Sequence, residues 1–72
     1  KEGGLRMQFT LRELRARKGW TQAETAQKLG ISLTTYNAWE RDISNVALSK
    51  VCAVAELFGV AIGDIFFTYQ HE

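Results

Sequence analysis

The stretch TQAETAQKLGISLTTYNAWE, Thr21 to Glu40, decides how this chain folds. Thr21-Gln22-Ala23-Glu24 has the form of a capping box: the threonine hydroxyl accepts from the amide three residues on, and the glutamate reaches back to the threonine's own amide. That predicts a helix from Gln22 to Leu29. Gly30 follows at once and, lacking a Cβ, can take a positive φ that turns the chain sharply. Ile31 then packs inward, and Ser32 is placed as the N-cap of a helix from Leu33 to Arg41. Tyr36 and Trp39 lie three apart on the inner face of this helix, and Ile31 can staple to Tyr36. The opposite face is small and polar. Ala26, four residues before Gly30, supplies the small side chain needed where two such helices approach most closely.

The same punctuation extends outward. Upstream, Thr10-Leu11-Arg12-Glu13 is another capping box, Phe9 and Leu14 fit its hydrophobic staple, and Gly19 closes a helix from Leu11 to Lys18. Lys1 to Arg6 holds two glycines and no periodicity, so residues 1–9 are set aside as a leader. Downstream, Asp42 to Val46 reads as a polar loop with Ile43 tucked inward. Leu48, Val51, Cys52, Ala55 and Phe58 then recur at the spacing of a helix buried along one side, which Gly59 ends. Val60 to Phe66 is expected to form a short fifth helix, with Ile62, Ile65 and Phe66 covering the core. Ala61 is a poor N-cap, which predicts a frayed start. Residues 10–66 thus read as one compact five-helix, all-α domain, with 67–72 as a tail.

Composition agrees with an ordered domain. Apolar residues are 46% of the 72, and there is no proline. A fold of this size buries only about 60% of the surface of its unfolded chain, so its stability must come from close packing. Cys52, the lone cysteine, can build no disulfide framework and reads as a small core hydrophobe, and there is no cluster of cysteine and histidine to hold a metal. One histidine, the penultimate residue, and one cysteine cannot be assembled into nucleophile, base and orienter, so an enzyme is not expected. Neither a signal peptide nor an apolar run of about 20 residues is present, and a cytoplasmic location with no membrane partner is expected. No cofactor, metal or small-molecule ligand is expected either. The net charge of +1 is a weak footprint for nucleic acid, but its distribution is uneven. Residues 1–30 carry Lys1, Arg6, Arg12, Arg15, Arg17, Lys18 and Lys28 against Glu2, Glu13 and Glu24, or +4; residues 31–72 carry Arg41 and Lys50 against Glu40, Asp42, Glu56, Asp64 and Glu72, or −3.

Two short helices joined through a glycine turn make a helix-turn-helix, in which the second helix reads bases while the first crosses the phosphate backbone. In LRELRARKGWTQAETAQKLGIS, YNAWER and AVAELFGV, residues 10 to 66 resemble the lambda/434 repressor and Cro type of bacterial and phage helix-turn-helix domain. The resemblance implies a five-helix DNA-binding domain whose third helix lies in the major groove. It places base reading at Leu33, Thr34, Asn37 and Ala38. Asn37 has the chemistry for a bidentate contact to adenine N6 and N7, while Leu33, Ala38 and the Thr34 methyl can pack on thymine methyls, so an A/T-biased half-site is expected. Phosphate contacts are expected at Gln22, Ser32, Thr35, Arg41 and Asn45, with Arg41 the strongest. Gln22 is similar to the family glutamine that bonds a phosphate and braces the recognition helix, and Arg15 and Glu40 match a structural ion pair between helices 1 and 3.

The chain also departs from the family pattern. Thr25 stands where an apolar residue is usual, so either helix 2 packs differently or the hydroxyl bonds back to its own helix. Asp42 and Val46 occupy a loop that usually carries Gly and Pro. Tight operator binding usually needs a dimer, and Phe66, Phe67 and Tyr69 form a late aromatic cluster suited to a two-fold contact. The partners implied are a double-stranded, palindromic DNA operator and a second copy of the chain. A repressor or autoregulator is the expected role, in a prophage, restriction-modification controller or antitoxin-like setting. The alternative is a protein-protein interaction module built on the same fold.

Overall fold

A threonine or serine opens each of the first three helices, and its hydroxyl is bonded as a cap should be. The computed structural model describes residues 8–65. Thr10 precedes α1 (Leu11–Lys18): its Oγ1 accepts from Glu13 N at 3.1 Å, while Glu13 Oε1 accepts from Thr10 N at 2.7 Å. Thr21 repeats this at α2 (Gln22–Leu29), with 3.0 and 2.7 Å for the reciprocal bonds to Glu24. Ser32 Oγ accepts from Thr35 N at 3.0 Å to start α3 (Leu33–Arg41). These bonds satisfy amides that have no partner within the helix, and each cap is worth about 1 kcal/mol. Between α2 and α3, Gly30 sits at φ 72° and Ile31 N returns to Ala26 O at 3.0 Å, so the turn is closed in two residues.

The core lies where α1, α2 and α3 meet α4 (Leu48–Phe58). Leu11, Leu14, Ala26, Tyr36, Ile43, Val51, Val54, Ala55, Phe58 and Ile65 are all buried there, and Trp20 stacks on Phe58 with ring centroids 6.0 Å apart. Trp39 and Ile31 are only half-buried but pack against the same cluster. Thr25 is fully buried, and its hydroxyl donates to Thr21 O at 2.9 Å. Helix α2 therefore keeps its packing and the polar group is satisfied within its own helix.

Three expectations need correction. The fifth helix is a single 3-10 turn, Ile62–Asp64, among the described residues. Ala61 has no side chain to cap it and Gly63 lies in its middle; Asp64 instead accepts from Ala61 N at 3.0 Å, which holds one turn and no more. On α4 the buried stripe is Val51, Val54, Ala55 and Phe58, whereas Cys52 is exposed and Leu48 is 67% exposed. Both stripes obey helical spacing, and the buried one is that which faces α1 and α2. Finally, Phe9 is more than the end of a leader. It forms a parallel bridge with Ile65, with Phe9 N donating to Asp64 O at 2.8 Å, and its ring carries the Arg17 guanidinium 4.3 Å above the centroid. None of the helices among the described residues is long and apolar enough to cross a membrane.

Candidate nucleic-acid interface

Packing of Tyr36 into the core turns the opposite side of α3 outward. Leu33 is 49% exposed, Thr34 and Thr35 are exposed beside it, and Asn37 and Ala38 are half-buried. Leu33, Thr34, Asn37 and Arg41 line one shallow open recess on this face. Around the corner, Arg12, Arg15, Gln22, Asn37, Glu40 and Arg41 line an open cleft of about 320 Å³. Asn37 and Arg41 belong to both, so they stand on the ridge between the outer face of α3 and the groove leading back to α1.

An ion pair forms the floor of that cleft. Arg15 Nε donates to Glu40 Oε2 at 2.5 Å, its Nη2 lies 3.4 Å from Glu40 Oε1, and its Nη1 donates to Trp20 O at 3.0 Å. One guanidinium thus joins α1, the segment leading into α2, and α3. The Glu40 side chain is 7% exposed and that of Arg15 18%. Burial by itself raises the Glu40 pKa, but hydrogen bonds from Arg15 and Gln22 together outweigh it and hold the carboxyl below its ordinary value. The bond to Glu40 likewise raises Arg15 above its usual value against the effect of burial. The Tyr36 hydroxyl is buried beside the pair without a well-formed hydrogen bond; burial first, then the Glu40 carboxylate, push its pKa up.

The network continues toward the outer face. Gln22 Nε2 donates to Glu40 Oε1 at 2.8 Å, and Asn37 Nδ2 donates to Gln22 Oε1 at 3.1 Å. The structure therefore links Arg15, Glu40, Gln22 and Asn37: the resemblance implies Arg15 and Glu40 as a structural pair and Gln22 as a phosphate contact that also braces the recognition helix, and the brace is found to run through Glu40 and Asn37, the latter expected as a base reader. A signal for part of this existed, since Asn37 and Glu40 are three apart and must share a helix face. Arg12 was not singled out in the sequence, yet it lines the cleft with Arg41 and Gln22.

The remaining candidates are more dispersed. Ser32 and Thr35 are exposed at the start of α3, and the Ser32 hydroxyl also donates to Thr35 Oγ1 at 2.9 Å. Asn45 is exposed in the loop after α3. In the same loop Asp42 Oδ1 accepts from the Ser44 hydroxyl at 2.6 Å and from Ser44 N at 2.9 Å, which lowers the Asp42 pKa and occupies its charge locally. Phe66, Phe67 and Tyr69 lie outside the described residues.

Comparison with known proteins supplies the context. A family model described as helix-turn-helix matches residues 11–65. The chain is 38% identical over 64 residues to a Neisseria hypothetical transcription factor from Neisseria meningitidis, covering 89% of this chain and 60% of that protein's length. It is 35% identical over 66 residues to an uncharacterized HTH-type transcriptional regulator of Archaeoglobus fulgidus, covering 92% of this chain and 94% of the relative. A further uncharacterized HTH-type transcriptional regulator, from Methanocaldococcus jannaschii, is 38% identical over 66 residues, covering 92% of this chain and all of the relative. No solved structure gives a significant match. With its two capped helices joined at Gly30 and the family match spanning every helix described, the chain belongs to the Cro/C1-type helix-turn-helix family of transcriptional regulators.

Proposed function

We propose that this chain binds a palindromic DNA operator sequence-specifically as a homodimer and acts there as a repressor or autoregulator. Helix α3 enters the major groove, with Asn37 bonded to adenine and Leu33, Thr34 and Ala38 against thymine methyls. Gln22, Ser32, Thr35, Arg41 and Asn45 hold the flanking phosphates and set the register, and Arg12 joins them from α1. Phe66, Phe67 and Tyr69 are the proposed contact between the two copies. The observation that carries this reading is the ridge itself: an amide at Asn37 and a guanidinium at Arg41 stand together on the outward side of α3, above a cleft with a second exposed arginine, Arg12.

Selection of preferred sequences from a random DNA pool at fixed salt tests the proposal. The expected product is an A/T-biased palindrome with half-sites about one helical turn apart, and log affinity should fall linearly with log salt by about 0.9 per phosphate neutralised. No enrichment together with a flat salt response would refute DNA binding.

A further inference from the structure

The hydrogen bonds under α3 form a chain with a fixed direction. A carboxylate can only accept, so Glu40 compels Gln22 to turn its NH₂ group inward, which it does at 2.8 Å. The Gln22 oxygen then faces the other way and compels Asn37 to present an N–H to it, at 3.1 Å. One Asn37 N–H is consumed by this bond; the second N–H and Oδ1 remain. Arg15 in turn holds Glu40 with two of its nitrogens, so the origin of the chain is itself pinned.

We propose that Glu40, acting through Gln22, is the positioning residue that sets the polarity of the Asn37 amide and so makes α3 selective for adenine. This rests on the reading of Asn37 as a base contact. Adenine offers a donor at N6 and an acceptor at N7, and a bidentate partner must put its oxygen opposite the first and its N–H opposite the second. Rotating the amide by half a turn exchanges the two groups and loses both bonds. An asparagine free to adopt either orientation and several rotamers must be ordered when it meets DNA; the Gln22 link orders it in advance. Immobilising one such side chain accounts for roughly 3- to 10-fold in binding. Gln22 is half-buried and Asn37 is half-buried, so the link survives at the edge of solvent while leaving the outer part of the amide accessible.

The test pairs a measurement on the free protein with one on DNA. In ¹⁵N spectra of the free chain, the two Asn37 side-chain amide protons, which differ in shift in any asparagine because the C–N bond does not rotate freely, should be displaced from free-amide values, with the proton bonded to Gln22 moved downfield and exchanging more slowly. Gln22→Met, which keeps length but can neither accept from Asn37 nor donate to Glu40, should return both protons to free-amide shifts and exchange rates while preserving the Arg15–Glu40 pair and the fold. Glu40→Gln should weaken this displacement, because an amide at position 40 no longer dictates which way Gln22 turns. On an operator varied at the base pair that Asn37 contacts, Gln22→Met, which also gives up a proposed phosphate contact and so weakens all sequences alike, should lose in addition roughly 3- to 10-fold of its preference for adenine over the other bases at that position, with preferences at other base pairs intact. If Asn37→Ala abolishes that preference and Gln22→Met retains it in full, the positioning role is overturned and base reading by Asn37 stands. If Asn37→Ala weakens every sequence equally, base reading falls and the positioning role with it, even where the displaced amide-proton shift is present. Should Glu40→Gln lose stability, the Gln22→Met spectra and binding decide the matter alone.

Discussion

Removing Arg15 tests the centre of the structure most directly. Arg15→Met keeps the aliphatic stem against its neighbours but strips the Glu40 carboxylate of its charged partner, leaving a side chain 7% exposed with a single donor from Gln22. Breaking a fully buried pair costs about 3 to 5 kcal/mol. Arg15 retains some solvent contact, so about 2 to 3 kcal/mol is expected at pH 7. For a domain of this size about 1 kcal/mol shifts the melting temperature by about 4 to 8 °C, so the variant should melt at least about 8 °C lower. The pH dependence carries the physical content. In the parent chain Glu40 titrates below its unfolded value; its contribution is complete above the unfolded pKa and is lost as pH falls through the folded pKa. In Arg15→Met burial meets much weaker opposition and raises the Glu40 pKa, so protonation on acidification relieves the folded state. The stability gap between the two proteins should therefore shrink from neutral pH to below pH 4. Urea titrations across that range would measure it. A gap of constant size would show that lost packing, and not the lone carboxylate, is responsible, and would refute the electrostatic reasoning. Arg15→Met combined with Glu40→Leu should recover much of the loss, since an apolar pair of similar volume is often neutral or stabilising.

Other substitutions check the remaining elements. Val54→Ala should cost about 2 kcal/mol by urea denaturation, whereas Cys52→Ser should stay within about 0.5 kcal/mol, because the first is fully buried on α4 and the second exposed. Gly30→Ala should cost about 1 to 2 kcal/mol, since φ is +72° but a Cβ there would meet nothing within 4 Å; a much larger loss would reveal a steric conflict. Arg41→Ala should weaken DNA binding on all sequences and reduce the magnitude of the salt slope by about 0.9, and an unchanged slope would remove Arg41 from the phosphate contacts.

The helices were legible where local chemistry punctuates the chain. Thr10, Thr21 and Ser32 with Gly19 and Gly30 mark the ends of α1, α2 and the start of α3, because caps are decided by neighbours three or four residues away. Helix α4 was legible as a helix and in most of its facing, since Val51, Ala55 and Phe58 are buried as the spacing predicts; only Leu48 and the choice of Cys52 over Val54 were misplaced, for Cys52 and Val54 are both small and apolar and the packed neighbours choose between them. The 3-10 turn was misread as a helix because apolar spacing at Ile62 and Ile65 does not report whether a turn can propagate through Gly63. At the interface, resemblance supplied the Arg15–Glu40 pair. The continuation through Gln22 to Asn37 depends on two side chains 15 positions apart converging, which no local pattern encodes.

The bridge between Phe9 and Ile65 gives the fold a nearly circular topology. Because the two backbones run the same way, a link from residue 65 back to residue 9 must double back as a crossover of about a dozen residues, a length supplied by joining residue 72 to residue 1, which closes the chain into a ring and keeps Phe66, Phe67 and Tyr69. Such a ring could be reopened between Ser44 and Asn45, both exposed, without cutting any helix. The resulting permutant would present new ends beside the C-terminus of α3, a place from which a fluorescent reporter or a second module could be hung close to bound DNA.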